Sequence, residues 1–318
     1  MSLKIVYMGT PDFAVAPLEA LLNAGCNIVG VVTNPDKPAG RGQKIQEAAV
    51  KKFAVSKGLK ILQPEKFRNE EFLNDLRALE ADLQVVVAFK MLPEVVWNMP
   101  KYGTLNLHAS LLPQYRGAAP INWAIINGDK ETGVSTFLLQ HEIDTGNILF
   151  QEKTNIDEND NVEVIHDKLM NIGSELVVKT VKAIEAEDYP QIPQESLDTE
   201  TLKSAPKIFK EDCKVDWSKS IDSIHNLIRG LSPYPAAWTE LIPNEEGRNI
   251  GLKVFGTNKE IVSHQHKIGS LHTDGKKYLK VAVDGGYISI NMLQQAGKKR
   301  MNVEDFLRGF QQISNYHL

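Results

Sequence analysis

The chain has only two cysteines in 318 residues, Cys26 and Cys213. They stand far apart, with no CxxC and no histidine cluster nearby, which excludes a disulfide framework and gives a zinc site no support. No apolar run approaches the roughly 20 residues that span a bilayer, and the N-terminus lacks the charged-then-apolar pattern of a secretory leader, so the expectation is a cytoplasmic protein. Also missing is a GxGxxG fingerprint after the first strand pattern, so a nicotinamide cofactor finds no cradle. His141-Glu142 does not extend to HExxH, because Thr145 stands where the second histidine ligand belongs. No RNP-type aromatic run appears, so base stacking of that kind is not indicated. With 36 basic and 40 acidic side chains, the net charge is only -4, which by itself selects no class of partner.

What the chain does have is length for two domains and 42% hydrophobic residues, enough for full cores. Residues 3–8 and 28–32 are rich in β-branched side chains, and 13–22 between them repeats apolar residues at helical spacing. This βαβ unit turns at Gly9-Thr10-Pro11-Asp12-Phe13, with Gly9 for a tight bend and Asp12 as an N-cap. Residues 83–88, 105–108, 133–140 and 148–153 follow as strands, several alternating with helices such as 118–126. The pattern predicts an α/β fold with a Rossmann-like, doubly wound, mostly parallel sheet whose ligand site lies at the strand ends. A helical stripe at Val162, Ile165, Leu169, Ile172 and Leu176 completes a first domain over 1–188.

Pro190, Pro193 and Pro206 then mark 189–206 as an extended linker. Residues 207–318 begin with a short amphipathic helix at 220–231 and continue as five short strands, at 237–242, 252–255, 268–271, 278–283 and 287–293. That spacing predicts a smaller OB-like β-barrel, an architecture that commonly binds nucleic acid or sugars. Lysine and arginine against aspartate and glutamate count 19 to 25 in 1–188, 1 to 3 in 189–206 and 16 to 12 in 207–318. A basic last third, with Lys276, Lys277, Lys280, Lys298, Lys299 and Arg300, hints at a polyanionic partner. In the first domain the polar run 33–50, with Lys37, Arg41 and Lys44 among glycines and prolines, reads as a long exposed loop suited to phosphate.

The chemistry concentrates in the stretch GTLNLHASLLPQYRG, 103–117. If 104–108 is a strand, Thr104, Asn106 and His108 share one face while Leu105 and Leu107 pack on the other. Pro113 and Gly117 end the segment, placing Asn106 and His108 near the carboxyl end of their strand. An Asn-x-His pair alone also fits a wet edge strand; the following SLLPxYRG argues for a site. Asp144, in the Asp-Thr-Gly turn that closes the strand 133–140, can reach toward His108, although alone it also fits turn capping.

The run Asn106-Leu107-His108, Ser110-Leu111-Leu112-Pro113, Tyr115-Arg116-Gly117 and Asp144-Thr145-Gly146 resembles the formyltransferases that use 10-formyltetrahydrofolate. MGTPDFA at 8–14, PAGRG at 38–42 and RGLSPYPAAW at 229–238 resemble the branch acting on methionyl initiator tRNA, and together the motifs span nearly the whole chain. The resemblance implies a catalytic trio of Asn106, His108 and Asp144, and a folate site lined by Ser110, Leu111, Leu112 and Pro113. It also implies a C-terminal barrel that helps hold the tRNA acceptor arm, with Lys37, Arg41, Lys44 and Arg229 as tRNA contacts. The sequence departs from the family at 43–49, which is less basic and lacks a proline, and at Gln140, His141 and Glu142.

In such a transfer the acceptor amine attacks the formyl carbon, and the tetrahedral intermediate carries a negative oxygen. Asn106 and His108 offer N–H donors to that oxygen. Asp144 orients the imidazole and helps remove the amine proton. No metal is required, and nothing in the sequence demands more than a monomer. The alternatives are formyl transfer to a nucleotide-linked amine, or hydrolysis of 10-formyltetrahydrofolate.

Overall fold

A computed structural model describes residues 2–39, 44–197 and 201–318, with 38, 39 and 44 described by backbone alone. Compactness divides the chain into Met1–Gly117, Thr132–Thr154 and His166–Ser204 as one unit, and Ala118–Glu131, Asn155–Ile165 and Ala205–Leu318 as the other. The linear division at 189–206 therefore differs from the physical one, because two short earlier stretches pack with the C-terminal third.

In chain order the strands around the first unit are β1 (Lys4–Gly9), β2 (Asn27–Val32), β3 (Lys37–Ala39), β4 (Lys44–Gln46), β5 (Ile61–Leu62), β6 (Leu83–Val87), β7 (Thr104–His108), β8 (Arg116–Gly117), β9 (Glu131–Leu138) and β10 (Ile148–Asn155). The main sheet runs β10-β9-β7-β6-β1-β2-β5. Pairs β1–β2, β1–β6, β2–β5 and β6–β7 are parallel, and their near-continuous apolar runs fit strands covered on both faces. β9 runs antiparallel to β7, with Leu105 opposite Leu138 and His108 opposite Ser135.

The helices are α1 (Val15–Asn23), α2 (Ala49–Ser56), α3 (Glu70–Arg77), the single turn α4 (Glu94–Trp97), α5 (Pro120–Ile126) and α6 (Val162–Glu185). Asn69 starts α3 by accepting the Glu71 N–H at 2.9 Å. The helix then buries Phe72, Leu73 and Leu76 in a cluster with Val6, Met8, Val32 and Val86. Each such side chain contributes about 1.5–3 kcal/mol, and Leu76→Ala would cost about 2–5 kcal/mol.

Two local expectations change. Asp12 makes no side-chain cap: Pro11 occupies that position before a 3₁₀ turn, Asp12–Ala14. Gly9 is required by close approach, since a Cβ there would lie 2.6 Å from the Ala14 Cβ. The loop over 33–50 is in part a two-stranded ribbon, β3 antiparallel to β4. Lys51 anchors its base through Asp36 and Glu47. Arg41 lies outside the described residues.

The second unit carries β12 (Ala237–Pro243), β13 (Ile250–Ile261), β14 (Leu271–Thr273), β15 (Leu279–Val283), β16 (Gly286–Gln295), β17 (Met301–Asn302) and β18 (Tyr316–His317), preceded by the two-residue β11 (Ser204–Ala205). They form an antiparallel, barrel-like sheet ordered β14-β15-β16-β13-β12-β18, with β17 added to β16. Helix α7 (Ile221–Leu231) is capped by Ser220, which accepts the Ser223 N–H at 3.3 Å. Its stripe of Ile221, Ile224, Ile228 and Leu231 enters a core with Val254, Val281 and Leu293. Helix α8 (Val303–Gly309), which the pattern reading lacked, is capped by Asn302 and adds Phe306 and Leu307 to that core. The charge run 298–300 hid its start; the Asn-Val-Glu-Asp sequence after it is the capping signal that identifies it.

Candidate active site

β7 keeps the pleat expected of it. Leu107 faces α6, so closely that a Cβ on Gly173 would lie 2.9 Å from the Leu107 Cδ2. Asn106 and His108 therefore point away from α6. Asn106 is part-exposed and makes no side-chain hydrogen bond among the described residues, so its amide is available to a ligand. His108 is buried. Its Nε2 lies 2.9 Å from the Tyr115 carbonyl, and because a carbonyl only accepts, Nε2 carries the proton. Nδ1 is the open edge, turned toward the Asp144 Oδ2 at 3.9 Å, beyond direct hydrogen-bond reach.

Asp144 reaches this position by a longer path than a strand end would provide. β9 finishes at Leu138 beside the start of β7, and the segment after it returns toward His108. Asp144 there takes φ of +56°, a left-handed conformation that costs a non-glycine residue about 1–3 kcal/mol unless its surroundings impose it. Gly146 allows the return, since a Cβ at that position would lie 1.7 Å from the Leu138 carbonyl oxygen.

The three residues Tyr115-Arg116-Gly117 hold the site together. The Tyr115 carbonyl receives His108, and the Gly117 N–H donates to the Asp144 Oδ2 at 3.0 Å. Arg116 donates from Nε and Nη2 to the Gln194 Oε1 at 3.0 and 2.6 Å. Gln194 is fully buried. Its Nε2 donates to the carbonyls of Asp144 and Gly146, each at 2.8 Å. The stretch expected to be an extended linker thus carries a 3₁₀ turn, Gln194–Ser196, and a buried member of the site. Prolines concealed it; a glutamine amid polar residues gives no periodic signal.

Ser110, Leu112 and Pro113, expected to line a folate site, are buried, with Leu111 half-buried between them. Leu112 packs with Phe137 and Ile148. The Ser110 hydroxyl donates to the Gln114 carbonyl at 2.6 Å. The Ser135 Oγ accepts the Leu112 N–H at 3.0 Å and donates to the Ser110 carbonyl at 2.6 Å. These contacts hold the loop to the sheet, with Leu112 covered by Phe137 of β9 and Ile148 of β10.

Among the expected phosphate contacts, Lys37 is exposed at the start of β3, and Lys44 is placed by the backbone of β4. Arg229 requires correction. It is buried in the second unit, donating to the Asn226 Oδ1 at 2.8 Å and to the carbonyls of Asp157 and Asp160 at 3.1 and 2.8 Å. A buried guanidinium needs such acceptors, so this one secures a chain segment and presents no charge at the surface.

Family models for "Formyl transferase" and "Formyl transferase, C-terminal domain" match residues 3–181 and 207–311. The chain belongs to the formyltransferase family. It is 58% identical over 317 residues to the methionyl-tRNA formyltransferase of Parabacteroides distasonis, covering 99% of this chain and 98% of that relative. It is 59% identical to the one named from Phocaeicola vulgatus, covering 98% and 97%. Among solved structures, the formyltransferase fold recurs in WlaRD, described as a sugar 3N-formyl transferase in the presence of dTDP and 5-N-formyl-THF. The likeness has a TM-score of 0.65 at 21% identity and covers 94% of this chain and all of that one. A glycinamide ribonucleotide transformylase from Symbiobacterium toebii shares it at a TM-score of 0.52 and 16% identity, covering 60% of this chain and 94% of that one. Within the family the chain is a transferase, and among its described residues no helix is long and apolar enough to cross a membrane.

Proposed function

We propose that this formyltransferase moves the formyl group from 10-formyltetrahydrofolate to the α-amino group of methionyl initiator tRNA. The observation that carries the chemistry is the meeting of His108 and Asp144 at Tyr115-Arg116-Gly117, with Asn106 two residues before His108 on the same face of β7. The acceptor is supported by the relatives named methionyl-tRNA formyltransferase, at 58% and 59% identity over nearly the whole chain.

The Asn106 amide, without a partner among the described residues, donates to the oxygen that becomes negative as the amine attacks, a contribution of about 2.7–4 kcal/mol for a good donor. His108 acts through Nδ1, because Nε2–H is held by Tyr115. Nδ1 accepts the amine proton, and the Asp144 carboxylate stabilises the imidazolium that forms. The same proton then passes to the folate nitrogen as the C–N bond to the carrier breaks. Formyl leaves one nitrogen for another, with no redox change and no covalent enzyme intermediate.

For the acceptor, the second unit offers a basic outer face. The ammonium groups of Lys210 and Lys214 each stand 5.5 Å from the centre of the Trp238 ring. Lys253 is the cross-strand partner of Trp238, and the Arg300 guanidinium lies over Phe255 at 4.3 Å. Lys280, by contrast, is neutralised by Glu260 at 2.6 Å. Cations beside aromatic rings suit a phosphodiester backbone.

The test is transfer of labelled formyl from 10-formyltetrahydrofolate to methionyl initiator tRNA, with elongator tRNA, a nucleotide-linked amino sugar and water as competing acceptors. Preferential formylation of the initiator tRNA is the expected result. Preference for the sugar, or release of free formate alone, overturns the assignment.

A further inference from the structure

We infer that Gln194 is a positioning residue for Asp144, a role that rests on the transfer reaction proposed above. The carboxamide is fully buried and both its ends are engaged: Oε1 accepts two N–H groups from Arg116, and Nε2 donates to the carbonyls of Asp144 and Gly146. The two Arg116 donors fix which end of the amide is oxygen, since a guanidinium cannot accept. That leaves the NH₂ end to face the two carbonyls.

The hydrogen bonds close a ring. From Arg116 the path runs through the Gln194 amide to the Asp144 backbone, out along the Asp144 side chain, and back by the Gly117 N–H to the residue next to Arg116. The ring holds the backbone and the carboxylate of Asp144 against one short segment. The residue before Arg116 in that segment, Tyr115, holds His108. Asp144 needs such a restraint because it sits at φ of +56° on a segment without regular structure, and Gly117, its other anchor, takes φ of +128°. Without Gln194, Asp144 keeps a single hydrogen bond among the described residues, from Gly117, and its distance from His108 Nδ1 is no longer determined.

Gln194→Glu separates this role from a merely structural one. The carboxylate still receives Arg116, now as a charged pair, but it has no N–H for Asp144 and Gly146 and sets oxygen against oxygen. Turnover is expected to fall by about 10- to 100-fold, the scale of a misplaced reacting group, while the KM for the folate donor stays within about threefold. In an Asp144→Asn background the same change should lower transfer less than twofold, because a residue acting through Asp144 has nothing further to lose there. Unchanged turnover, or equal fold-losses in both backgrounds, overturns the inference. If Gln194→Glu does not fold, Arg116→Lys carries the same cycle, since it removes the forked grip on Oε1 and leaves the glutamine in place. A wild-type enzyme that never formylates initiator tRNA refutes the assigned reaction; additive losses in an active enzyme refute only the positioning role.

Discussion

Ser135 sits opposite His108 in the β7–β9 register, and its hydroxyl links the loop beyond His108 to the sheet. It accepts from the Leu112 N–H and the Gln151 Nε2 and donates to the Ser110 carbonyl. Ser135→Ala orphans a buried donor and a buried acceptor, at about 1–3 kcal/mol. Calorimetry should therefore show a clear drop in Tm. Asn106→Ala separates the effects in the opposite sense: a part-exposed side chain without partners among the described residues changes stability within about 0.5 kcal/mol, while single-turnover transfer slows by about 10²- to 10³-fold. Residues of these two kinds were unequally legible in sequence. The two-residue period placed Asn106 and His108 together. It gave no means of knowing that Leu112 finds cover on Phe137, or that Arg229 in its motif is buried and donates to the carbonyls of Asp157 and Asp160.

At the scale of elements, strands β1, β2, β6, β7, β9 and β10 of the first unit were readable as short apolar runs, whereas the two- and three-residue strands β3, β4, β5 and β8 are too short to leave such a pattern. The direction of β9 was not readable either, since pairing orientation depends on partners far along the chain. That orientation makes the segment between β9 and β10 carry Asp144 back toward the carboxyl end of β7. Gly146 is its constriction. Gly146→Ala places a methyl where the Leu138 carbonyl already lies, 1.7 Å from the Cβ position, so the segment must move and Asp144 with it. Transfer should fall by about 10²-fold with far-UV circular dichroism unchanged; retained activity would show that Asp144 tolerates displacement.

For the molecule as a whole, pH and salt report on different parts. Burial holds the His225 imidazole below the ordinary histidine range; its bond to the Glu158 carbonyl opposes this, and the charges of Arg229 and Lys259 add to the depression. The unfolded chain therefore binds the proton more readily. His225 contributes its stability in full above about pH 6.5 and loses it as pH falls below that through the lower folded value. Thermal unfolding from pH 8 to pH 5 should show a steeper loss for the wild type than for His225→Asn. Salt acts on the face around Trp238. Replacing Lys210, Lys214 and Lys253 with glutamine should weaken tRNA binding and reduce the slope of log affinity against log salt by about 0.9 for each phosphate left unneutralised. An unchanged slope in a salt titration would remove that face from the tRNA surface.

The second unit draws on three separate stretches of chain, and this bears on how the protein is made. During synthesis the carbonyls of Asp157 and Asp160 leave the ribosome about 70 residues before Arg229, their eventual donor. At about 5–20 residues per second they wait several seconds for it. A gene fragment beginning at 207, the edge of the matched C-terminal domain, would encode the barrel strands and Asn226 but omit the two backbone carbonyls, of Asp157 and Asp160, that its own buried arginine donates to. Exchange of this barrel between relatives therefore calls for crossovers that also carry 118–131 and 155–165.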